Sequence, residues 1–94
     1  MSQRSSDKSK FVIFSIDNCP FSSRAKKLMK ESNFKHTVVT VPKSQKEFYK
    51  KAHQMNTFPQ IFYHTKGGAI IKVGGCDELD NLLMIIQNST RDKK

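Results

Sequence analysis

A cysteine followed at once by a proline has chemical consequences, and the pair occurs at Cys19–Pro20 within IDNCPFSSRAKK, residues 16–27. The stretch lies between an apolar run and a basic segment with helical spacing. A strand that hands over to a helix here places the sulfur at a helix N-terminus, where unpaired amides and the positive end of the dipole favour thiolate over thiol. Pro20 suits the first helical position because it has no amide hydrogen to satisfy. Thiolate is the nucleophilic form, which makes Cys19 a candidate for thiol–disulfide chemistry. Arg24 and Lys27, one and two turns on, are expected to add to the effect as far as salt screening allows. Against this stands an inert cysteine packed under a loop, since free cysteines are among the most buried residues. In a two-cysteine redox loop the third position after Cys19 would carry another thiol, but here it is Ser22. A hydroxyl is essentially un-ionised at neutral pH and does not exchange with disulfides, so Ser22 reads as a polar neighbour able to hydrogen-bond the sulfur.

Two other stretches belong with the thiol. NTFPQIF puts Pro59 immediately before an apolar run, where an extended segment can present the Phe58 backbone to a peptide-like ligand. VGGCDEL ends another run with two glycines and opens a helix at Cys76 and Asp77. That forms a backbone nest able to hold a carboxylate while Asp77 meets an amine. An ordinary glycine turn with an aspartate cap accounts for the same residues. Cys19 and Cys76 are the only cysteines, too few for a disulfide scaffold or a four-ligand structural zinc site.

The elements that must position these residues follow from periodicity. KFVIFSI (10–16) reads as a buried strand, and residues 20–32 as a helix with Ala25, Leu28, Met29 and Ser32 on one face and a stop at Asn33. HTVVTV (36–41) is a second strand. SQKEFYKKAHQM (44–55) is a helix with Phe48, Ala52 and Met55 inward, opened by a Ser44/Glu47 capping box. QIFYH and AIIKV form a hairpin around Lys66, Gly67 and Gly68. DELDNLLMIIQ closes the chain's core with Leu79, Leu82, Leu83 and Ile86 along one side. The order βαβαββα, with a helical crossover between the first two strands, predicts an α/β fold with a mixed four-stranded sheet and helices on both faces. Residues 1–9 are expected to be a disordered basic arm, 10–88 a single domain and 89–94 a polar tail.

The 94 residues suffice for one modest core. No apolar run approaches the roughly 20 residues of a membrane-spanning helix, and the N-terminus lacks a secretory pattern, so a cytoplasmic, reducing setting is expected. Lysine and arginine total 17 against 8 acidic residues, a net +9 that favours anionic partners. Lys43, Lys46, Lys50 and Lys51 cluster, but no array of stacking aromatics accompanies them, which ranks nucleic acid low and leaves an acidic-partner interaction protein as a third reading.

CPFS after the first strand, TFP before the third and GGCDEL before the last helix, in register, resemble the glutaredoxin family from about Phe11 to Gln87. The resemblance implies a thioredoxin-like three-layer α/β/α sandwich with a cis bond at Pro59, Cys19 as nucleophile within Cys19–Pro20–Phe21–Ser22, and glutathione as co-substrate. It implies further that Thr57, Phe58 and Pro59 line the tripeptide, and that Gly75, Cys76 and Asp77 hold its γ-glutamyl end. Two positions depart: Ile16 stands where many members carry a lysine for the glycyl carboxylate, and Asn56 where an arginine often precedes the threonine. Lys46 aligns with a family glutamine that touches the same carboxylate and is the candidate substitute. The hairpin is longer than is usual in small members. The expected reaction is reduction of protein–glutathione mixed disulfides by a monothiol mechanism, with glutathione and glutathionylated or disulfide-bearing proteins as partners. Cys76 as a resolving thiol would need loop movement. The alternative is a [2Fe–2S] cluster shared by a dimer through Cys19 and glutathione from each copy, the chain being otherwise a monomer and binding no other metal. Members committed to clusters usually carry glycine where this chain has Pro20.

Overall fold

The computed structural model describes residues 9–92, so residues 1–8 of the expected arm and 93–94 of the expected tail lie outside the described residues. The elements are β1 (Lys10–Ser15), α1 (Pro20–Ser32), β2 (His36–Thr40), α2 (Lys46–His53), β3 (Gln60–His64), β4 (Ile70–Gly74) and α3 (Cys76–Asp92). The strands lie in the order β2-β1-β3-β4. The crossover through α1 makes β1 and β2 parallel, while β1 with β3 and β3 with β4 are antiparallel. The order, the mixed sheet and the cis bond at Phe58–Pro59 are as expected.

Alternation along the strands builds a separate core on each side of the sheet. On one side Phe11 and Ile13 of β1 and Ile61 of β3 meet Ala25 and Met29 of α1 and Leu79 and Leu83 of α3, all buried. On the other side Phe14 and Phe62 meet α2 in an aromatic cluster: His53 lies 4.8 Å from Phe14 and 4.6 Å from Phe62, ring centre to ring centre, and Tyr49 lies 5.4 Å from Phe14. Arg24 of α1 reaches Asp80 of α3 at 3.1 Å and ties the two helices of the first layer together.

Several boundaries and one face differ from expectation. A 3-10 turn, Lys43–Gln45, precedes α2, which starts at Lys46 with Gln45 as its N-cap and no side-chain cap. The Ser44/Glu47 capping box therefore does not form, and Glu47 pairs instead with Lys50 at 3.2 Å. Phe48 is 65% exposed, because α2 turns Tyr49 and His53 toward the aromatic rings of the sheet rather than the expected Phe48, Ala52 and Met55. The pair and the triplet both have helical spacing, so periodicity alone did not separate them, and the partners on β1 and β3 did. α1 stops at Asn33 in the left-handed conformation, φ 66°, as expected, whereas α3 continues past Gln87 to Asp92, into the expected tail. Among the described residues no helix is long and apolar enough to cross a membrane.

Candidate functional site

β1 ends at Ser15, the chain reverses through Asn18 at φ 59°, and Cys19 becomes the N-cap of α1 with Pro20 in its first turn. The thiol is partly exposed and its sulfur lies 3.9 Å from the carbonyl oxygen of Phe58. Burial pushes the thiol up, but the backbone amide and hydroxyl of Ser22, the amide of Phe21 and the charge of Lys46 outweigh it, and the group is held below its ordinary range. The helix-terminal amides thus act as the sequence suggests. The cation does not: Arg24 is turned to Asp80 at 3.1 Å and lies 4.0 Å from Asp77, and Lys46 supplies the charge that Arg24 and Lys27 were expected to supply. Ser22 is 0% exposed and its hydroxyl oxygen accepts the amide of Ile16 at 3.3 Å, so the residue also anchors the end of the β1–α1 loop.

The segment opposite the thiol is held by a residue that sequence reasoning passed over. Gln60, fully buried, donates from Nε2 to the carbonyls of Thr57 at 3.2 Å and Met55 at 3.5 Å. Its Oε1 then accepts from His53 Nδ1 at 2.7 Å, which fixes that histidine's tautomer. His53, rooted in the aromatic cluster, thereby connects α2 to the loop that carries Phe58 and Pro59. The available signal was a glutamine heading an otherwise apolar strand directly after a proline.

At the third corner Gly74 has φ 123°, a conformation that disfavours any side chain, and a Cβ there would lie 2.8 Å from Cγ of Glu78. Glu78 folds back over this glycine and its Oε1 accepts the amide of Gly75 at 2.9 Å. Glu78 thus does the capping that Asp77 was the candidate for, and the side chain of Asp77 is 83% exposed. Cys76 is buried and its thiol is pushed up, chiefly by burial, with Asp77, Asp80 and Cys19 adding to the shift and Arg24 opposing it. It therefore remains protonated where Cys19 ionises.

Two cavities are lined by residues near Cys19 in the chain, Phe21 in one and Asn18 in the other. One of about 210 Å³ is lined by Phe21 and by segments 57–59 and 75–78, and so brings together Thr57, Phe58, Pro59, Gly75, Cys76 and Asp77, the six residues singled out from distant parts of the sequence. The other, of about 440 Å³, lies between the loop after β1 and the loop after β2, with Ile16, Val41, Lys43 and Lys46 among its walls. The first cavity is made by segments next to β3 and β4 and the second by segments next to β1 and β2, so they adjoin different halves of the sheet. Lys46 is the one expected ligand-binding residue found at the second cavity, and Asn56 is exposed in the loop between α2 and β3.

Comparison with known proteins gives the same picture. The family model described as Glutaredoxin matches residues 11–67. Glutaredoxin 1 of Rickettsia typhi is 35% identical over 75 residues, covering 76% of this chain and 67% of the relative. Among solved structures, a dithiolic glutaredoxin from Trypanosoma brucei brucei is similar with TM-score 0.60 and 31% identity, covering 84% of this chain and 81% of that one. Glutaredoxin 1 from Francisella tularensis, complexed with cacodylate, has TM-score 0.61 and 27% identity, covering 85% and 98% respectively.

Proposed function

The chain belongs to the glutaredoxin family, the glutathione-dependent thiol oxidoreductases, and we propose that it reduces protein–glutathione mixed disulfides through a single sulfur, that of Cys19. What supports this is one observation: a thiol held toward thiolate at a helix N-terminus, with a buried serine three residues on where a second thiol would stand.

In the first step the Cys19 thiolate attacks the glutathionyl sulfur of the mixed disulfide. A Cys19–glutathione disulfide forms, the bond to the substrate protein breaks, and the substrate leaves as a thiolate that takes up a proton. In the second step a glutathione thiolate attacks the glutathionyl sulfur held on Cys19, which releases glutathione disulfide and restores the Cys19 thiolate. Each turnover regains one protein thiol and consumes one glutathione thiol, the second half of the glutathione disulfide being the glutathionyl group that the substrate carried. The amides of Phe21 and Ser22 stabilise negative charge on the sulfur in both steps.

In this reading the tripeptide runs along Thr57, Phe58 and Pro59, with the Phe58 backbone pairing its cysteinyl unit. The N-terminal amides of α3 at Cys76 and Asp77, beside Gly75, take the γ-glutamyl carboxylate, Asp77 takes the amine, and Lys46 takes the glycyl carboxylate in place of the lysine absent at Ile16. Glu78 already occupies the Gly75 amide, which leaves the next two for the ligand.

The test is glutathione-dependent reduction of a glutathionylated model protein. Cys19→Ser abolishes turnover, whereas Cys76→Ser, which keeps the backbone amide, retains it; turnover surviving in Cys19→Ser would overturn the mechanism. Lys46→Glu raises the Michaelis constant for glutathione, and an unchanged constant removes Lys46 from the site. Anaerobic reconstitution with iron and sulfide separates the cluster alternative: a colourless monomer supports the enzyme, a coloured dimer the cluster carrier.

A further inference from the structure

A sheet with open borders can take on another strand where the outward hydrogen-bonding groups and the side chains of a border allow it. The two borders here differ. β4 carries Lys72 at its middle, whereas β2 has β-branched residues in unbroken succession from Thr37 to Thr40 and no lysine, arginine, carboxylate or proline. We propose that β2 is a docking border, which adds an extended segment of another protein as a further strand and prefers segments with carboxylates at alternate positions. The inference goes beyond the chemistry of Cys19 and does not depend on it.

Three observations carry it. The first is the direction of the backbone groups. In the ladder with β1 the amide of Phe11 donates to the carbonyl of Lys35 at 3.0 Å and that of Val41 to the carbonyl of Ser15 at 2.8 Å, with His36, Val38 and Thr40 in register with Phe11, Ile13 and Ser15. Alternation then turns the backbone groups of Thr37 and Val39 toward β1 and leaves the amides and carbonyls of His36, Val38 and Thr40 pointing out of the sheet. The second is access: Thr37, Val38 and Thr40 are exposed, so the row is open to a second chain. The third is charge. α1 turns Ser22, Ala25 and Met29 to the sheet and Arg24 to Asp80 of α3, and α3 packs against β4. Lys26 and Lys30, one turn apart, lie on the other flank of α1, the side of β2, while Glu31, the only carboxylate of α1, falls in the row of Arg24. Neither lysine makes an ion pair among the described residues. His36, Val38 and Thr40 share the sheet face on which Phe11 and Ile13 meet α1, so alternate side chains of an added strand stand on the side of the two lysines. A second copy of the chain would bring a further +9 to the border, whereas a carboxylate at every other position neutralises what is there.

Short capped peptides that alternate valine with glutamate, serine or lysine test the border, read by the backbone amide signals of the isotope-labelled chain. With the glutamate peptide the amides of His36, Val38 and Thr40 shift and exchange with solvent more slowly, while those of Thr37 and Val39, already bonded to β1, keep their exchange rates. The glutamate peptide binds more tightly than the serine peptide by about two- to thirty-fold, the range of two partly exposed charge pairs, and the gap narrows at high salt. Lys26→Glu combined with Lys30→Glu reverses the preference in favour of the lysine peptide. Val38→Pro removes one outward donor without touching the ladder to β1, so it weakens binding of all three peptides while glutathione-dependent turnover is retained. Unmoved amides at His36, Val38 and Thr40, equal affinities for the three peptides, or a preference for glutamate that survives the two lysine changes would each sink the proposal. Shifts at the same amides that grow with the concentration of the chain alone, together with sedimentation as a dimer, give the border to a second copy and sink it as well. Binding is read without turnover, so Cys19→Ser gives the same shifts as the wild type, and a failure of the proposed reaction leaves them unchanged.

Discussion

Cys19 is held toward its anion mainly by residues two and three positions downstream, and for that reason the direction of its ionisation was legible: strand, cysteine, proline and helix in that order leave the sulfur facing free amides. Since the folded chain favours the anion, the thiolate fraction rises from a pH below the ordinary range and levels off before a free cysteine has finished ionising. The alkylation rate of Cys19 against pH is expected to have its midpoint below that of an unperturbed cysteine. Ser22→Ala removes one hydrogen bond to the sulfur and moves that midpoint upward, and a midpoint unmoved by the change would exclude the hydroxyl from the effect. Cys76, pushed the other way, alkylates more slowly and only at higher pH. The identity of the helpful cation was not legible, because Arg24 finds its partner 56 residues away on α3. Gln60 was equally hidden, its meaning lying in carbonyls and a histidine that only the folded loop gathers. Gln60→Leu leaves the carbonyls of Thr57 and Met55 and the Nδ1 of His53 without their partner, at a cost of about 1–3 kcal/mol. It is expected to raise the Michaelis constant for glutathione more than it lowers kcat, while the midpoint of Cys19 alkylation stays in place.

At the scale of elements, types and order followed from periodicity, and the errors concentrate in α2. That helix has two apolar stripes of equal spacing, and the choice between them depended on Phe14 and Phe62, neither of which is local. Its start was missed for a related reason: the serine–glutamate spacing of a capping box was present, but Glu47 had Lys50 within reach and the chain entered through a 3-10 turn instead. The turn from β4 into α3 shows the opposite case, where two glycines marked the place correctly and only the capping residue was misassigned. Gly74→Ala forces a left-handed alanine against Glu78 and is expected to cost about 1–3 kcal/mol. Adding Glu78→Ala relieves the clash but not the backbone strain, so a double-mutant cycle by denaturation gives a coupling of opposite sign to the sum of the single losses. A coupling of zero would mean that Glu78 does not pack over the glycine.

For the molecule as a whole, handedness and connection rules left few topologies open, which is why the mixed sheet and its two helical layers were predictable from element order. Of the two cavities, one is lined by six residues that the family resemblance had already grouped, whereas the other joins loops after β1 and β2 whose sequences carry no sign of facing one another. Ile61, with no exposure, belongs to the core between the sheet and the layer of α1 and α3. Ile61→Ala is expected to cost about 2–5 kcal/mol, seen as a lower denaturation midpoint with an unchanged slope. The sheet has open borders at β2 and β4, and on β4 the side chains of Ile70 and Ile71 are 63% and 52% exposed. Lys72 is the only charge on that strand and spends it on the carbonyl of Gln54 at 3.4 Å. A lysine in the middle of an open border strand opposes pairing with the same strand of a second copy. Lys72→Val is therefore expected to raise the light scattering of a concentrated preparation above that of the wild type, and equal scattering would show that the net charge of +9 keeps copies apart without it.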